Sequence, residues 1–253
     1  MRIKNEKELK ILREGGRRLA NIMDIVSQIA APGITTAELD RRAEELILKQ
    51  GGQPAFKGYK TADAKIPYPS SLCVSVNDEI VHALPSSRIL KDGDIASLDL
   101  GMKWRGFYTD MAVTVPIGNV DEKSSRLIAV TKKALALGIG AIKDGGCVGD
   151  IGFSVESYVK LKRFYVVREL VGHGVGRAVH EKPEIPNWGK RGVGFLLEEG
   201  MVLALEPMVN VGTEKIKLTK DGWAWKTADG SRSAHFEHTV LVTKIGAEIL
   251  TKI

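Results

Sequence analysis

Two consecutive apolar strands that each carry an aspartate constrain this chain more than any other feature. Ile95-Ala-Ser-Leu-Asp-Leu-Gly and Phe107-Tyr-Thr-Asp-Met-Ala-Val-Thr-Val read as a hairpin whose turn runs through Lys103, Trp104, Arg105 and Gly106. A turn centred between Trp104 and Arg105 sets Asp99 and Asp110 face to face. Directly opposed side chains have Cβ atoms about 4.5–5.5 Å apart, and like charges at that distance repel. Leu98, Leu100, Met111 and Ala112 keep water from relieving the repulsion. A cation between the carboxylates is one resolution; a shifted strand that leaves one Asp as a turn residue is the other.

Further unusual acids and histidines lie downstream. Glu206 ends the apolar run Met201-Val-Leu-Ala-Leu, and Glu237 stands on a run that continues into Val240-Leu-Val. A buried carboxylate must be paired, protonated or metal-bound. All five histidines, His82, His173, His180, His235 and His238, fall in strand or loop segments and none in a predicted helix. His173 sits in Val171-Gly-His-Gly-Val-Gly176, where neighbours without bulk let ring and backbone approach a ligand, although a plain glycine turn has the same spelling. Pro183 and Pro186 follow too soon for the helix that a dinucleotide fingerprint requires, and no Lys-Ser/Thr completes a P-loop.

Other catalytic signatures fail. His180-Glu181 does not begin HExxH, because position 184 is Glu, and Gly152-Phe-Ser-Val-Glu lacks the second glycine of a nucleophile elbow. The two cysteines, Cys73 and Cys147, stand too far apart in sequence for a CxxC site. What remains is four acids and one imidazole offered from separate strands. This oxygen-rich set suits Mn²⁺, Fe²⁺ or Co²⁺, with Zn²⁺ also able to take it, and so many carboxylates suit two ions about 3.5–4 Å apart.

The flanking sequence predicts the scaffold. Leu12, Leu19, Met23, Val26 and Ala30 give Glu6–Ala30 a helical period, Pro32-Gly33 stops it, and Thr35-Thr-Ala-Glu38 spells a capping box for a second helix ending at Gly51-Gly52. The same grammar returns with a helix over Asp121–Ile142, a stop at Gly145-Gly146, and a further helix capped by Asp150 and running to about Lys162. Strands are expected in Arg163–Val171, Met201–Glu206 and His235–Thr243. Two helix-helix-strand halves with strands in runs predict an α+β layout with a central antiparallel sheet covered by helices, in a single domain over 1–253.

Composition narrows the setting. With 43% apolar residues the 253-residue chain can bury a large core. No apolar run approaches the roughly 18 residues of a membrane span, and no secretory h-region follows Met1, so a cytoplasmic protein is expected. The net charge of +6 favours residence near polyanions, yet no helix-turn-helix, RNP or finger pattern appears. A solvated basic surface accounts for this charge, and if nucleic acid matters it is expected at a docking surface rather than as a substrate or a sequence to be read.

Asp99, Asp110, His173, Glu206 and Glu237, in this order and spacing, resemble the metal ligands of the methionine aminopeptidases, dinuclear metallopeptidases of the pita-bread fold. The match covers essentially the whole chain, through Ser75-Val-Asn-Asp-Glu-Ile-Val-His82, Asp99-Leu-Gly, Tyr108-Thr-Asp110, Gly172-His-Gly-Val-Gly, Val179-His-Glu, Leu205-Glu-Pro-Met and His235-Phe-Glu-His-Thr. The resemblance implies that Asp99 chelates one ion, that Asp110 and Glu237 bridge both, and that His173 and Glu206 complete the second. It implies attack by a water held between the ions, with Glu206 shuttling its proton, His180 stabilising the carbonyl oxygen and His82 near the scissile nitrogen. Tyr59, Tyr68, Cys73, Val179 and Trp223 match positions of the pocket for the methionine side chain.

Two departures stand out. The segment between Gly58 and Pro69 is longer than the compact loop of relatives and lacks the His often found there, and His235 stands where Gln or His occurs. With neither a zinc-finger extension nor the further N-terminal domain of the prolidase and aminopeptidase P relatives, the chain resembles the minimal prokaryotic type I form. The implied activity is removal of initiator methionine from nascent chains with a small second residue, by a monomer whose basic surface suits docking near the ribosomal exit. An aminopeptidase of another specificity, such as Xaa-Pro cleavage, or a non-catalytic RNA- or protein-binding module of the same fold would be the alternatives.

Overall fold

The fold is described from a computed structural model over residues 2–3, 5–60 and 66–253. Residues 61–65 of the segment between Gly58 and Pro69, expected to be lengthened, lie outside the described residues. The first half runs α1 (Glu6–Ile29), α2 (Thr36–Lys49), β1 (Gln53–Pro54), β2 (Leu72–Val76), β3 (Glu79–Val81), β4 (Ile95–Trp104) and β5 (Phe107–Pro116). The second runs α3 (Glu122–Gly140), α4 (Val148–Leu161), β6 (Tyr165–Val166), β7 (Gly172–Gly174), β8 (Glu181–Ile185), β9 (Val202–Leu205) and β10 (Met208–Asn210). It closes with β11 (Ile216–Leu218), β12 (Trp225–Thr227), β13 (Ser233–His235), β14 (Glu237–Thr243) and β15 (Gly246–Ile249).

The helix ends follow the capping chemistry with one correction. Thr35 Oγ1 accepts from the backbone N–H of Glu38 at 3.1 Å, and the Asp121 carboxylate accepts from Ser124 N–H at 2.7 Å. Asp150 does not cap α4. That helix begins two residues before it, and the Asp150 carboxylate reaches back to accept from the N–H of Cys147 at 2.8 Å. The strand of Met201–Glu206 shortens to Val202–Leu205, because Pro207 supplies no N–H and interrupts the ladder before β10. Of Arg163–Val171 only Tyr165–Val166 is a strand.

Among the described residues, nine strands form one sheet whose main path is β1-β4-β5-β14-β9-β7-β8, with β2 on β4 and β15 on β14, every pairing antiparallel. Its two faces divide by residue parity. Leu98, Leu100 and Met102 of β4 and Met111, Val113 and Val115 of β5 pack with Leu19, Met23 and Val26 of α1 and Leu39 and Ile47 of α2. Val240 and Val242 of β14 and Leu203 and Leu205 of β9 pack with Leu135 and Ile139 of α3 and Ile151 of α4. Each half thus covers its strands with its own helix pair, which is the α+β arrangement expected. The intervening positions, Asp99, Asp110, Ala112 and Glu237 among them, point to the opposite face.

The hairpin register differs from the expected one. Trp104 pairs with Phe107, so the turn is the two residues Arg105-Gly106, with φ of 47° and 88°. Positive φ at both centres is the type I′ geometry that matches strand twist. Asp99 consequently faces Ala112, and Asp110 faces Gly101. The aspartates are diagonal neighbours on one face instead of direct partners. An offset of two preserves the face because the side-chain period is two.

Candidate metal centre and adjoining apolar cleft

Cross-strand pairing builds the site from that face. Ala112 of β5 pairs with Asp99 of β4 on one side and with Glu237 of β14 on the other. Ala204 of β9 likewise lies between Thr239 of β14 and His173 of β7. Steps of two residues then reach Asp110 from Ala112 and Glu206 from Ala204 without changing face. The small side chains at the centre of each row leave the room into which the acids and the imidazole project. Five donors spread over 139 residues of sequence thus line one cavity of about 460 Å³.

The tightest group is Asp110, His173 and Glu237, whose donor atoms lie within 4.8 Å of one another. Asp99 and Glu206 line the same cavity, and Glu206 Oε1 is 3.4 Å from His173 Nε2. His173 is held for coordination. Its Nδ1 lies 2.9 Å from the carbonyl oxygen of Gly174, which can only accept, so Nδ1 carries the hydrogen and Nε2 keeps its lone pair. Asp110 is fixed through its backbone, where N–H donates to Thr239 Oγ1 and C=O accepts from it, both at 2.8 Å.

The glycines around His173 have a backbone reason. His173 lies on a strand, not in a turn, and β7 is squeezed between β9 and β8. A Cβ on Gly172 would come within 2.4 Å of the carbonyl oxygen of Ala204, and one on Gly174 within 2.4 Å of that of Lys182. Only glycine tolerates this approach.

Electrostatics identify what the cavity lacks. Burial raises the Asp110 and Glu206 carboxyls to about 8, with Glu206 adding to the rise at Asp110. Burial followed by the neighbouring carboxylates lifts Asp99 and Glu237 well above the carboxylate range. Burial holds His173 down to about 3 and His82 to about 4, so both imidazoles are neutral. Asp99 Oδ1 and Glu237 Oε1 are buried with no hydrogen-bond partner among the described residues. Unpartnered buried carboxylate oxygens beside a lone-pair imidazole fit a multivalent cation.

The same cavity continues into an apolar cleft. Tyr68, Cys73, Val179 and Trp223 pack in one buried cluster with Phe56, and Tyr59 lies against it, so the sequence-derived pocket positions do come together. Tyr68 and Trp223 meet edge to face with ring centroids 5.1 Å apart, and the Tyr68 hydroxyl donates to the carbonyl of Ala83 at 3.1 Å. Cys73 pairs with Asp99 in the ladder and so stands at the junction of cleft and acids, where burial and Asp99 keep its thiol protonated.

His82 and His180 close the mouth. His82 adopts a left-handed φ of 61°, a conformation uncommon outside glycine and worth notice beside a site. His180 Nδ1 is 2.7 Å from the hydroxyl of Tyr59, and its ring stacks edge-on to His173 at 4.4 Å. Although part of His180 is exposed, the surrounding walls desolvate its ring and lower its pKa. His238 does not join the others; its parity turns it to the helix face, where Nδ1 meets Thr251 Oγ1 at 3.0 Å.

Sequence reasoning missed Phe56, Leu218, Gly222 and Trp225 as lining residues, and Thr239 as the support of Asp110. Thr239 was within reach, since it stands two residues from Glu237 and shares its face. Phe56 had no local signal; it fits because Gly101 has no side chain, and a Cβ there would come within 2.7 Å of the Phe56 ring.

An acidic donor set opening into an apolar cleft is the architecture of a metal-dependent peptidase. The chain belongs to metallopeptidase family M24, whose model matches residues 10–244. It is 45% identical over 250 residues to methionine aminopeptidase 1 of Bacillus subtilis, covering 99% of this chain and 98% of that one. The crystal structure of methionine aminopeptidase from Thermotoga maritima superposes with a TM-score of 0.95 at 42% identity, covering all of both chains. Prolidase from Pyrococcus furiosus shares the fold at a TM-score of 0.76 and 21% identity, over 99% of this chain and 65% of that one. The fold is thus the pita-bread fold, and the family and the donor group mark a protein that uses a divalent metal.

Proposed function

We propose that this chain is a methionine aminopeptidase that removes the N-terminal methionine of nascent proteins, acting as a single catalytic domain over 1–253. The observation that carries this reading is the junction itself: a group of metal donors and an aromatic cleft share one cavity and meet at Asp99 and Cys73. A substrate anchored by its first side chain in the cleft has its first peptide bond beside the acids.

Asp99, Asp110, His173, Glu206 and Glu237 would hold two ions, with Mn²⁺, Fe²⁺ or Co²⁺ best suited to one imidazole and four carboxylates and Zn²⁺ also able to occupy them. When bound, such ions polarise a carbonyl and make water nucleophilic at neutral pH. The chain's own groups do the rest. The flexible thioether of methionine lies among Tyr59, Tyr68, Cys73, Val179 and Trp223, which exclude water and fix the first residue. Tyr59 orients the His180 ring through Nδ1, so that Nε2 is the nitrogen for the substrate carbonyl as its oxygen gains charge. Glu206 takes a proton from water and passes it to the departing amine. His82, at the junction of the cleft and a second opening lined by Val171, Lys182 and Met208, stands near the scissile nitrogen. That second opening leads the remaining peptide outward.

We further infer that a small second residue is preferred, that the enzyme acts as a cytoplasmic monomer, and that its net charge of +6 favours docking on the ribosome without sequence-specific reading of nucleic acid. Among the described residues no helix is long and apolar enough to cross a membrane. The test is release of methionine from Met-Ala-Ser by metal-stripped protein refilled with Mn²⁺, Fe²⁺ or Co²⁺, beside Ala-Pro-Ala. Release that requires metal and spares the control is the expected result. Cleavage of the control alone would move the assignment to proline-directed relatives, and no cleavage by folded protein to a binding module.

A further inference from the structure

His235 is the one imidazole at this site with no task in the mechanism above. Its side chain is 1% exposed, yet among the described residues neither ring nitrogen has a hydrogen-bond partner. A buried, unsatisfied polar ring costs stability unless something requires it there.

The backbone, not the ring, fixes its position. Thr114 Oγ1 accepts from His235 N–H at 2.8 Å and donates to His235 C=O at 2.9 Å, and the Ser97 hydroxyl lies 2.8 Å from Thr114 Oγ1. On its other side His235 pairs with Met208, two residues beyond Glu206. These clamps aim the imidazole at one group. His235 Nε2 is 3.5 Å from Glu206 Oε2, while Glu206 Oε1 is 3.4 Å from His173 Nε2. One carboxylate thus lies between two imidazoles, with one oxygen toward each.

The two imidazoles differ in what they offer Glu206. The Nδ1 hydrogen of His173 is taken by the Gly174 carbonyl, so its Nε2 presents a lone pair and cannot donate. His235 has no such partner on Nδ1, so its ring hydrogen is free to sit on Nε2 and point at Oε2. A small torsional adjustment brings 3.5 Å within hydrogen-bond length.

We propose that His235 is a positioning residue for Glu206: its Nε2–H holds Oε2, so that Oε1 is presented to the metal beside His173. This rests on the reading of Glu206 as a metal ligand. Groups that orient ligating carboxylates typically contribute about 10–100-fold to metal affinity.

The experiment measures metal binding, not peptide cleavage. Metal-stripped wild type, His235→Gln, His235→Leu and His235→Asn are titrated with Co²⁺ against a chelator, and the thermal midpoint of each stripped protein is recorded. Gln carries an N–H donor at comparable reach; Asn is too short and Leu has none. The expected result is wild-type Co²⁺ affinity for Gln and an affinity lowered about 10–100-fold for Leu and Asn. The loss should vanish when His235→Leu is introduced into a Glu206→Gln background.

Equal losses for Gln and Leu would overturn the proposal, because the imidazole would then be needed as a ligand or as packing. Wild-type affinity in folded Leu or Asn protein would overturn it as well. Should Leu fail to fold, the Gln and Asn pair decides in the same way. Tight Co²⁺ binding by a wild type that releases no methionine would instead sink the proposed activity and leave this role of His235 standing.

Discussion

The two walls of the cavity are built from opposite physical materials. On one side Phe56, Tyr68, Val179 and Trp223 bury apolar surface, the arrangement that stabilises any core. On the other, Asp99, Asp110, Glu206 and Glu237 bury carboxyls that raise one another's pKa. The first wall favours the folded state on its own, whereas the second does so only with a cation. Function here is concentrated where the fold is least comfortable, and the aromatic wall and the two helix pairs hold the acids in place.

Substitutions should separate the walls. The largest effect is expected for Glu206→Gln, which should lower methionine release about 10²–10⁴-fold as a lost proton shuttle. The stripped variant should be no less stable than wild type, since an amide replaces a carboxyl that burial already keeps protonated. Activity within error of wild type in steady-state assays would dissolve the distinction. Trp223→Ala should act the other way round. Truncating this buried ring is expected to cost about 3–5 kcal/mol in denaturant unfolding and to raise KM for Met-Ala-Ser with little change in metal affinity. Loss of metal without loss of stability would assign Trp223 to the wrong wall.

The pH dependence of the metal-free protein sharpens the contrast. Asp110 and Glu206 have folded-state values of about 8 against ordinary values of 3.8 and 4.5, so between those limits the folded state binds more protons than the unfolded state. Stability from these groups is fully present below about pH 4 and is lost as pH rises through 8. His173 and His235, at about 3 against 6.5, have the opposite sign and add stability as pH rises to 6.5. The two pairs offset each other between about pH 4.5 and 6.5, so thermal melts of stripped protein should level off there and decline from about 6.5 toward 8, by about 1.4 kcal/mol per pH unit for each carboxyl that must ionise. Saturating metal should abolish the decline, and a decline that persists with metal would show that the acids are not its ligands. Tyr68→Phe marks the small end of the scale. It removes a hydroxyl bonded to the Ala83 carbonyl while keeping the ring that lines the cleft, and should cost about 0.5–1.5 kcal/mol in denaturant unfolding.

Local chemistry was legible where it acts over a few residues. Thr35 caps α2 as its spelling predicts, and Glu206 and Glu237 betrayed themselves as acids on apolar runs. The hairpin was read with its turn one position early, because an Arg at positive φ beside Gly106 has no sequence signature, yet Asp99 and Asp110 still share a face. Phe56, Leu218 and Trp225 went unseen because a lining residue needs no special chemistry, only a place.

The candidate donors and the strand face each occupies are legible in the sequence, since the alternation of side chains is a property of a strand itself. The folded sheet as a whole sets the lateral order of β4, β5, β14, β9 and β7, which joins Asp99 to Glu237 through Ala112 and His173 to Thr239 through Ala204. The tertiary fold also aims His235 at Glu206. Strand order follows from how two helix pairs cover one curved sheet, a free-energy balance over the whole core that no single segment encodes.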